Sequence, residues 1–321
     1  MSKSNKQLLD KFENSKSDYK EFLDYVKPLI VSLLKDKEIQ YHKIESRVKA
    51  NDSLERKIEV KDKYTELSEI TDLCALRIIT YFSDDVDKVA NLLEKEFHLD
   101  KDNSIDKRKS QDPEKFGYVS LHYILQLNDS RSGLTETKKF KDLKFEVQIR
   151  TILQHAWAEI EHDFGYKSVN DVPKTIRRRF SRLAGLFELA DDEFMAIKEY
   201  EKEYLSEVKQ GIGDHSKETQ IDSVSVTALL EDDSFEEYLK KYYGEHDIEI
   251  RRPGGKYKSE RITKIVQRCE YLEIKTIDML LAKFKEEFPS YFENWVEGKE
   301  NYFYVWNVTP LLDIITNLEK S

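Results

Sequence analysis

Cysteine is almost missing from this chain: Cys74 and Cys269 are the only two among 321 residues. Two thiols make neither a disulfide framework nor a cysteine zinc cluster. No apolar run is long enough to span a bilayer, and residues 1–7 have no apolar core of signal-peptide length. The expected compartment is the cytoplasm, without membrane attachment. An excess of positive charge is lacking too. With 53 Lys and Arg against 63 Asp and Glu the net charge is −10, which argues against a nucleic-acid coat protein or a membrane-surface binder, since both need a basic surface. Internal repeats and low-complexity tracts are likewise missing.

What remains is enough to build cores. Apolar residues make up 39% of the chain and aromatics 12%, while 36% charge implies a well-solvated surface. The length suffices for two domains. Hydrophobic spacing divides the chain into three sections. Residues 1–40 read as one or two N-terminal helices, with Leu8, Leu9 and Phe12 and then Phe22, Leu23, Val26, Ile30 and Leu34 in helical register. Residues 41–209 mix strands at 75–82, 119–127 and 144–150 with a helix at 85–97. Segments 100–116 and 128–142 hold the turn-formers and are expected as loops, the first a candidate lid. From Pro173, which suits a first-turn position, to about Lys209 the spacing predicts one long helix striped by Ile176, Phe180, Leu183, Leu186, Phe187 and Leu189.

The polar run 210–219 carries two glycines and reads as a linker. Beyond it, residues 220–321 are expected as a small, mostly helical domain. Its helices are placed at 226–230, 234–243, 258–271, 275–288 and 310–318, with a capping box formed by Ser234 and Glu237. Pro253-Gly-Gly255 marks a turn, and the aromatic run 302–306 packs this domain or a subunit interface. The fold class is α+β: a mixed sheet flanked by helices, then a helical domain.

The chemistry concentrates in four places. In Phe145-Glu-Val-Gln-Ile-Arg-Thr151 apolar residues alternate with Glu146, Gln148 and Arg150, so Val147 and Ile149 enter a core and an acid, an amide and a guanidinium share the other face. The helix that follows sets His155, Glu159 and His162 on one side and Ile152, Ala156 and Ile160 on another; the spacing is not that of a zinc protease, so packing or substrate contact is expected there. Upstream, Arg47-Val-Lys49, Ser53 and Lys57 gather cations and a hydroxyl suited to phosphate oxygens, against the plainer reading of a charged helix–loop face. Asp72 precedes the strand in which Arg77 is out of place among apolar neighbours. In Phe116-Gly-Tyr118-Val-Ser120-Leu-His122, Gly117 permits close ligand approach, and Tyr118, Ser120 and His122 share a face. Arg177-Arg-Arg179 with Arg182 forms a basic face on the long helix.

Taken in order and spacing, Arg47-Val-Lys49…Ser53…Lys57, Asp72-Leu-Cys-Ala-Leu-Arg77, Gly117-Tyr-Val-Ser-Leu-His122 and Glu146-Val-Gln-Ile-Arg-Thr151 resemble the RelA/SpoT synthetase domain, and the ending Trp157-Ala-Glu-Ile-Glu-His162 looks most like the small alarmone synthetases. The resemblance covers residues 40–170. It implies a nucleotidyltransferase-like sheet and transfer of pyrophosphate from ATP to the 3′-hydroxyl of GTP or GDP, making (p)ppGpp with Mg²⁺ as cofactor. By the same resemblance Arg47, Lys49, Ser53, Lys57 and Arg77 bind ATP. Asp72 and Glu146 are catalytic and hold the metal, Glu146 also serving as a base on the attacking hydroxyl. Lys115, Tyr118, His122, Gln148, Arg150 and Glu161 bind the acceptor nucleotide, Tyr118 by stacking on guanine. A homo-oligomer, dimer or tetramer, is expected. Where the family motif continues with Arg or Gln this chain has Val119, a departure that bears on acceptor choice. No hydrolase pattern precedes the synthetase, so the chain is expected to make its product and not destroy it. Two alternatives stand beside this reading: a toxin-type relative that modifies tRNA 3′ ends or adenosine nucleotides, and a non-catalytic nucleotide sensor.

Overall fold

A mixed sheet, six strands among the described residues, and the helices around it make the first of two compact units, residues Met1–Ile197, in the computed structural model; Lys198–Ser321 form the second. The structure describes residues 3–106, 120–165, 173–213, 219–253, 255–297 and 304–319. The chain opens with a single helix, α1 (Lys3–Asp36), running through Pro28. It stays whole because Phe22, Val26, Ile30 and Leu34 keep one buried stripe on both sides of the proline.

Strand β1 (Lys43–Val48) and helix α2 (Asn51–Lys61) follow, then β2 (Cys74–Thr80), α3 (Ser83–Glu96) and the short strands β3 (Phe97–Leu99) and β4 (Ile105–Asp106). After β5 (Leu121–Leu127) and a one-turn helix α4 (Asp129–Ser132), β6 (Phe145–Thr151) passes with no intervening residue into α5 (Ile152–Gly165). The sheet order is β1-β2-β6-β5-β3, with β4 on β5. Among the described residues of this sheet β2 and β6 pair in parallel and the other pairs are antiparallel, so the sheet is mixed.

One sheet face is dry. Ile44, Leu76, Ile78, Leu121, Leu125, Val147 and Ile149 pack with α1 and α3 residues such as Phe22, Val26, Val86 and Leu93 in one core. The Phe145 ring meets Phe22 edge-on at 5.4 Å and Phe97 at 5.5 Å, geometries aromatic rings favour. The opposite face is left to polar side chains.

Several expectations are corrected here. The region read as a charged helix–loop face begins with β1, an edge strand that bonds only to β2; its six residues carry two apolar side chains, too few to announce a strand. The stretches expected as loops contain β4 and α4, both too short to show a period. Helix α6 (Lys174–Gly213) runs beyond the expected linker start at 210. Val208 and Ile212 are buried in the second core, which offsets the roughly 1 kcal/mol that Gly211 costs within a helix.

The second unit holds α7 (Ser223–Glu231), α8 (Asp233–Tyr243), α9 (Gly255–Tyr271), α10 (Ile277–Glu297) and α11 (Val308–Asn317). A small parallel pair, β7 (Glu249–Arg251) with β8 (Tyr304–Trp306), joins them. Its core is rich in rings: Tyr243 meets Phe292 at 4.9 Å and Trp295 at 5.4 Å, both edge-on. The expected capping box of Ser234 and Glu237 gives way to an N-cap two residues earlier. Asp232 caps α8, accepting from the Ser234 and Phe235 amides at 3.0 and 3.2 Å, because a carboxylate at the N-cap satisfies two orphan donors at once. Of the aromatic run, Tyr302 and Phe303 lie outside the described residues, and Val305 is buried in the core.

Candidate active site

The polar face of the first sheet is organised by register. Side chains of paired residues in neighbouring strands project to the same face. Glu45 of β1 lies opposite Arg77 of β2, Arg77 opposite Gln148 of β6, and Gln148 opposite His122 of β5. Those four residues make one row across four strands. In the next row toward the start of β6, Arg47 pairs with Ala75 and Ala75 with Glu146. Alternation alone therefore brings Arg47, Arg77, His122, Glu146, Gln148 and Arg150 onto a common face.

Hydrogen bonds link most of them. Arg150 Nη2 donates to Gln148 Oε1 at 3.0 Å, and Gln148 Nε2 donates to Glu146 Oε2 at 3.2 Å. The other Glu146 oxygen meets His122 Nδ1 at 2.8 Å, and His122 Nε2 lies 2.6 Å from Ser120 Oγ. With Nδ1–H donating to the carboxylate, the ring turns Nε2 toward the Ser120 hydroxyl. Burial opposes ionisation of Glu146, but the hydrogen bond and charge of His122 and the Gln148 amide outweigh it and hold the carboxyl below the ordinary range. The charge of Asp72 acts on Glu146 in the opposite sense, so the two carboxylates sense each other.

Asp72 sits in the turn before β2, where Lys49 and Lys57 converge on it. Lys49 Nζ is 2.8 Å from Oδ2 and Lys57 Nζ 2.6 Å from Oδ1. Burial would raise the Asp72 carboxyl, yet the two lysines keep it below its ordinary value. Lys57 and Ser53 are one helical turn apart on α2, so both reach the same side. That side is next to Lys49 because the helix starts at Asn51.

Arg77 Nη1 pairs with Glu45 at 3.3 Å and with Glu159 of α5 at 2.9 Å. Together with Ser46, Arg47 and Gln148 these residues line a cleft of about 330 Å³. Arg47 is exposed at its rim. Arg150 is 5% exposed; burial, then the nearby Arg77 charge, lowers its pKa to about 10, which still leaves it cationic near neutrality. Burial and the charges of Arg150 and Arg77 also push the His155 ring below its usual value.

The α5 face expected to hold His155, Glu159 and His162 is thus partly spent on Arg77. Since His155 and Glu159 take the side toward the sheet, the Ile152, Ala156, Ile160 stripe turns outward, and Ala156 and Ile160 are exposed. Glu161, two residues from Glu159 and hence on the other side of the helix, is exposed as well. Lys115, Tyr118 and Val119 lie outside the described residues. Glu45 carries no motif, and its role as a partner of Arg77 is visible only once β1 is known to be a strand.

Comparison with known proteins follows the same region. The sequence pattern described as "Region found in RelA / SpoT proteins" matches residues 46–171. Two Bacillus subtilis proteins are similar. GTP pyrophosphokinase YwaC is 34% identical over 161 residues, 48% of this chain and 71% of that one. GTP pyrophosphokinase YjbM is 29% identical over 136 residues, 41% of this chain and 60% of that one. The crystal structure of small alarmone synthetase 2 from Bacillus subtilis aligns with a TM-score of 0.50 at 28% identity, covering 59% of this chain and 98% of that one.

Proposed function

This chain belongs to the RelA/SpoT family, and we infer that it is a GTP pyrophosphokinase, transferring pyrophosphate from ATP to the 3′-hydroxyl of GTP or GDP to give (p)ppGpp. A bond forms between the 3′-oxygen and the β-phosphorus of ATP, the bond from that phosphorus to the α–β bridging oxygen breaks, AMP leaves, and the hydroxyl proton departs. Such transfers depend on positioning and charge neutralisation more than on covalent help from the protein.

The observation that carries this reading is the pair of carboxylates kept ionised by their partners, half-buried Asp72 between Lys49 and Lys57 and buried Glu146 on His122 and Gln148, beside a cleft that Arg47, Arg77 and Gln148 line. In this assignment Lys49, Lys57 and Ser53 meet the ATP phosphates near the start of α2, and Arg47 and Arg77 take the rest of the donor nucleotide. Glu146, held by His122 and Gln148, is aimed at the acceptor hydroxyl. Its lowered pKa suits it to remain a carboxylate and favour the departing proton by charge. His122, Gln148 and Arg150 order the acceptor side; Tyr118, Lys115 and Glu161 are assigned there on the resemblance alone.

The donor set also suits Mg²⁺. Two hard carboxylates that oppose each other's ionisation are relieved by a divalent cation, and no group of three metal-type side chains occurs among the described residues. Mg²⁺ commonly takes one or two carboxylates and completes its shell with phosphate oxygens and water. Asp72 and Glu146 would hold it, and it would supply neutralisation of phosphate charge.

The decisive experiment offers γ-labelled or β-labelled ATP and Mg²⁺ to the purified chain, with GDP, GTP, ATP and bulk tRNA as parallel acceptors. Label from the β position is expected in a guanosine product. Label in tRNA or an adenosine product would replace this reading with the toxin-type one.

A further inference from the structure

One acid of the cleft is surplus. Glu159 reaches from α5 to the polar sheet face, where Arg77 Nη1 meets its Oε1 at 2.9 Å. Arg77 does not need it for neutralisation, because Glu45 of β1 lies 3.3 Å from the same nitrogen. The hydrogen bond from Lys43 above all, helped by the charge of Arg77, holds the Glu45 carboxyl below its ordinary range, so that partner is already ionised. Glu159 stays 54% exposed at its side chain while Arg77 takes one of its oxygens. A carboxylate accepts at about four lone-pair sites, so Glu159 keeps acceptor capacity for a ligand.

The place of this acid along the site says what that ligand group is. Glu45 and Glu159 line the cleft together with Arg47 and Arg77, two negative charges against two positive. A balanced wall suits an uncharged group and not a phosphate. The phosphate end is farther along β1, where Lys49 and Lys57 outnumber Asp72. Lys49 prolongs the ladder, its amide donating to the Leu73 carbonyl at 2.8 Å. Four extended residues therefore separate it from Glu45, about 13 Å, comparable to the reach of an extended nucleoside triphosphate from its terminal phosphate to its base. A triphosphate anchored by Lys49 and Lys57 brings its base beside Glu159.

An ionised carboxylate accepts hydrogen bonds and donates none. At ring position 6 adenine carries an amine, a donor, where guanine and hypoxanthine carry a carbonyl oxygen, an acceptor. A carboxylate at that position binds the amine and repels the carbonyl. The Arg77 nitrogen that would reward a carbonyl is already held between two acids.

We propose that Glu159 selects the donor nucleotide, its carboxylate accepting from the 6-amino group of adenine and rejecting 6-oxo purines, while Glu45 fixes Arg77 beside it. The inference rests on ATP being the pyrophosphate donor and names the residue that reads its base.

Competition between ATP and ITP as donors, with GDP as acceptor, tests it, because ITP carries the 6-oxo group on the same sugar and phosphates. Wild type should favour ATP by at least about tenfold in kcat/KM. Glu159→Gln, whose amide both donates and accepts, should shrink that ratio by about tenfold or more, losing ATP and gaining ITP. Glu45→Gln leaves Glu159 in place and should lower both donors while keeping the ratio. A merely structural role for Glu159, acting through Arg77, would likewise lower both donors and leave the ratio unmoved. Equilibrium titration with ATP and with ITP reads the same preference without turnover. ATP bound over ITP with no transfer to any acceptor would support the selection and overturn the transfer reading. Equal use or equal binding of the two by wild type, binding of neither, or a ratio unchanged in Glu159→Gln would each overturn the proposal.

Discussion

At Glu146 two hydrogen bonds decide the chemistry. His122 and Gln148 occupy its two oxygens, so it enters the reaction already oriented and ionised. Replacing it by Gln keeps the shape but loses the charge; Glu146→Gln is expected to lower transfer by about 10²–10⁴-fold with the fold preserved, as judged by circular dichroism and initial rates. Asp72→Asn should do the same, and here the two lysines are the reason: without a carboxylate, Lys49 and Lys57 are left as two like charges in a half-buried site. Activity within a few-fold of wild type for either variant would remove that residue from the site. His155 offers a pH test. Burial and the Arg150 and Arg77 charges lower its pKa, so the unfolded chain binds the His155 proton more readily than the folded one. Its contribution therefore subtracts stability as pH falls through the unfolded value, about 6.5. His155→Gln should lose less melting temperature than wild type between about pH 7.5 and about pH 5.5.

Among the elements, the junction of β6 and α5 has the tightest local bookkeeping. Thr151 Oγ1 donates to Asp191 of α6 at 2.8 Å and accepts from the Gln154 amide at 3.2 Å, while the Thr151 amide donates to Gln154 Oε1 at 2.9 Å. This hydroxyl ties the end of the strand bearing Glu146, Gln148 and Arg150 to the long helix. Thr151→Val fills the same space without the hydroxyl and leaves the buried Asp191 one donor short. The expected cost is about 1–3 kcal/mol in urea unfolding, and a larger loss would mean that the junction moves as a whole. Element identity itself was readable wherever a period ran for several turns or a strand alternated for several residues. The long helices and β2, β5 and β6 were legible for that reason. β1, β3, β4, β7 and β8 were not, because two to six residues at an edge or in a small ladder are held by pairing partners rather than by their own apolar pattern.

On the scale of the whole molecule, the two units have separate buried clusters with no residue in common. Each has its own complement of rings and aliphatic side chains, so calorimetry should resolve more than one transition, since two-state behaviour belongs to single cores. Phe288→Ala, in the second cluster, should lower one transition by an amount corresponding to about 3–5 kcal/mol and leave the other within error. One transition that shifts as a unit would mean the clusters unfold together. The motif residues and the family they point to were legible because phosphate chemistry demands particular side chains at short spacings, and those spacings are local. So were the alternating face of β6 and the helical character of residues 174–209. The row Glu45, Arg77, Gln148, His122 was not, since it joins positions up to about a hundred residues apart and exists only through strand register. Nor was the side of α6 that faces water: its inward and outward apolar residues have the same hydrophobicity, and only the contacts of its inner side with α5 and with Thr151 at the end of β6 separate them.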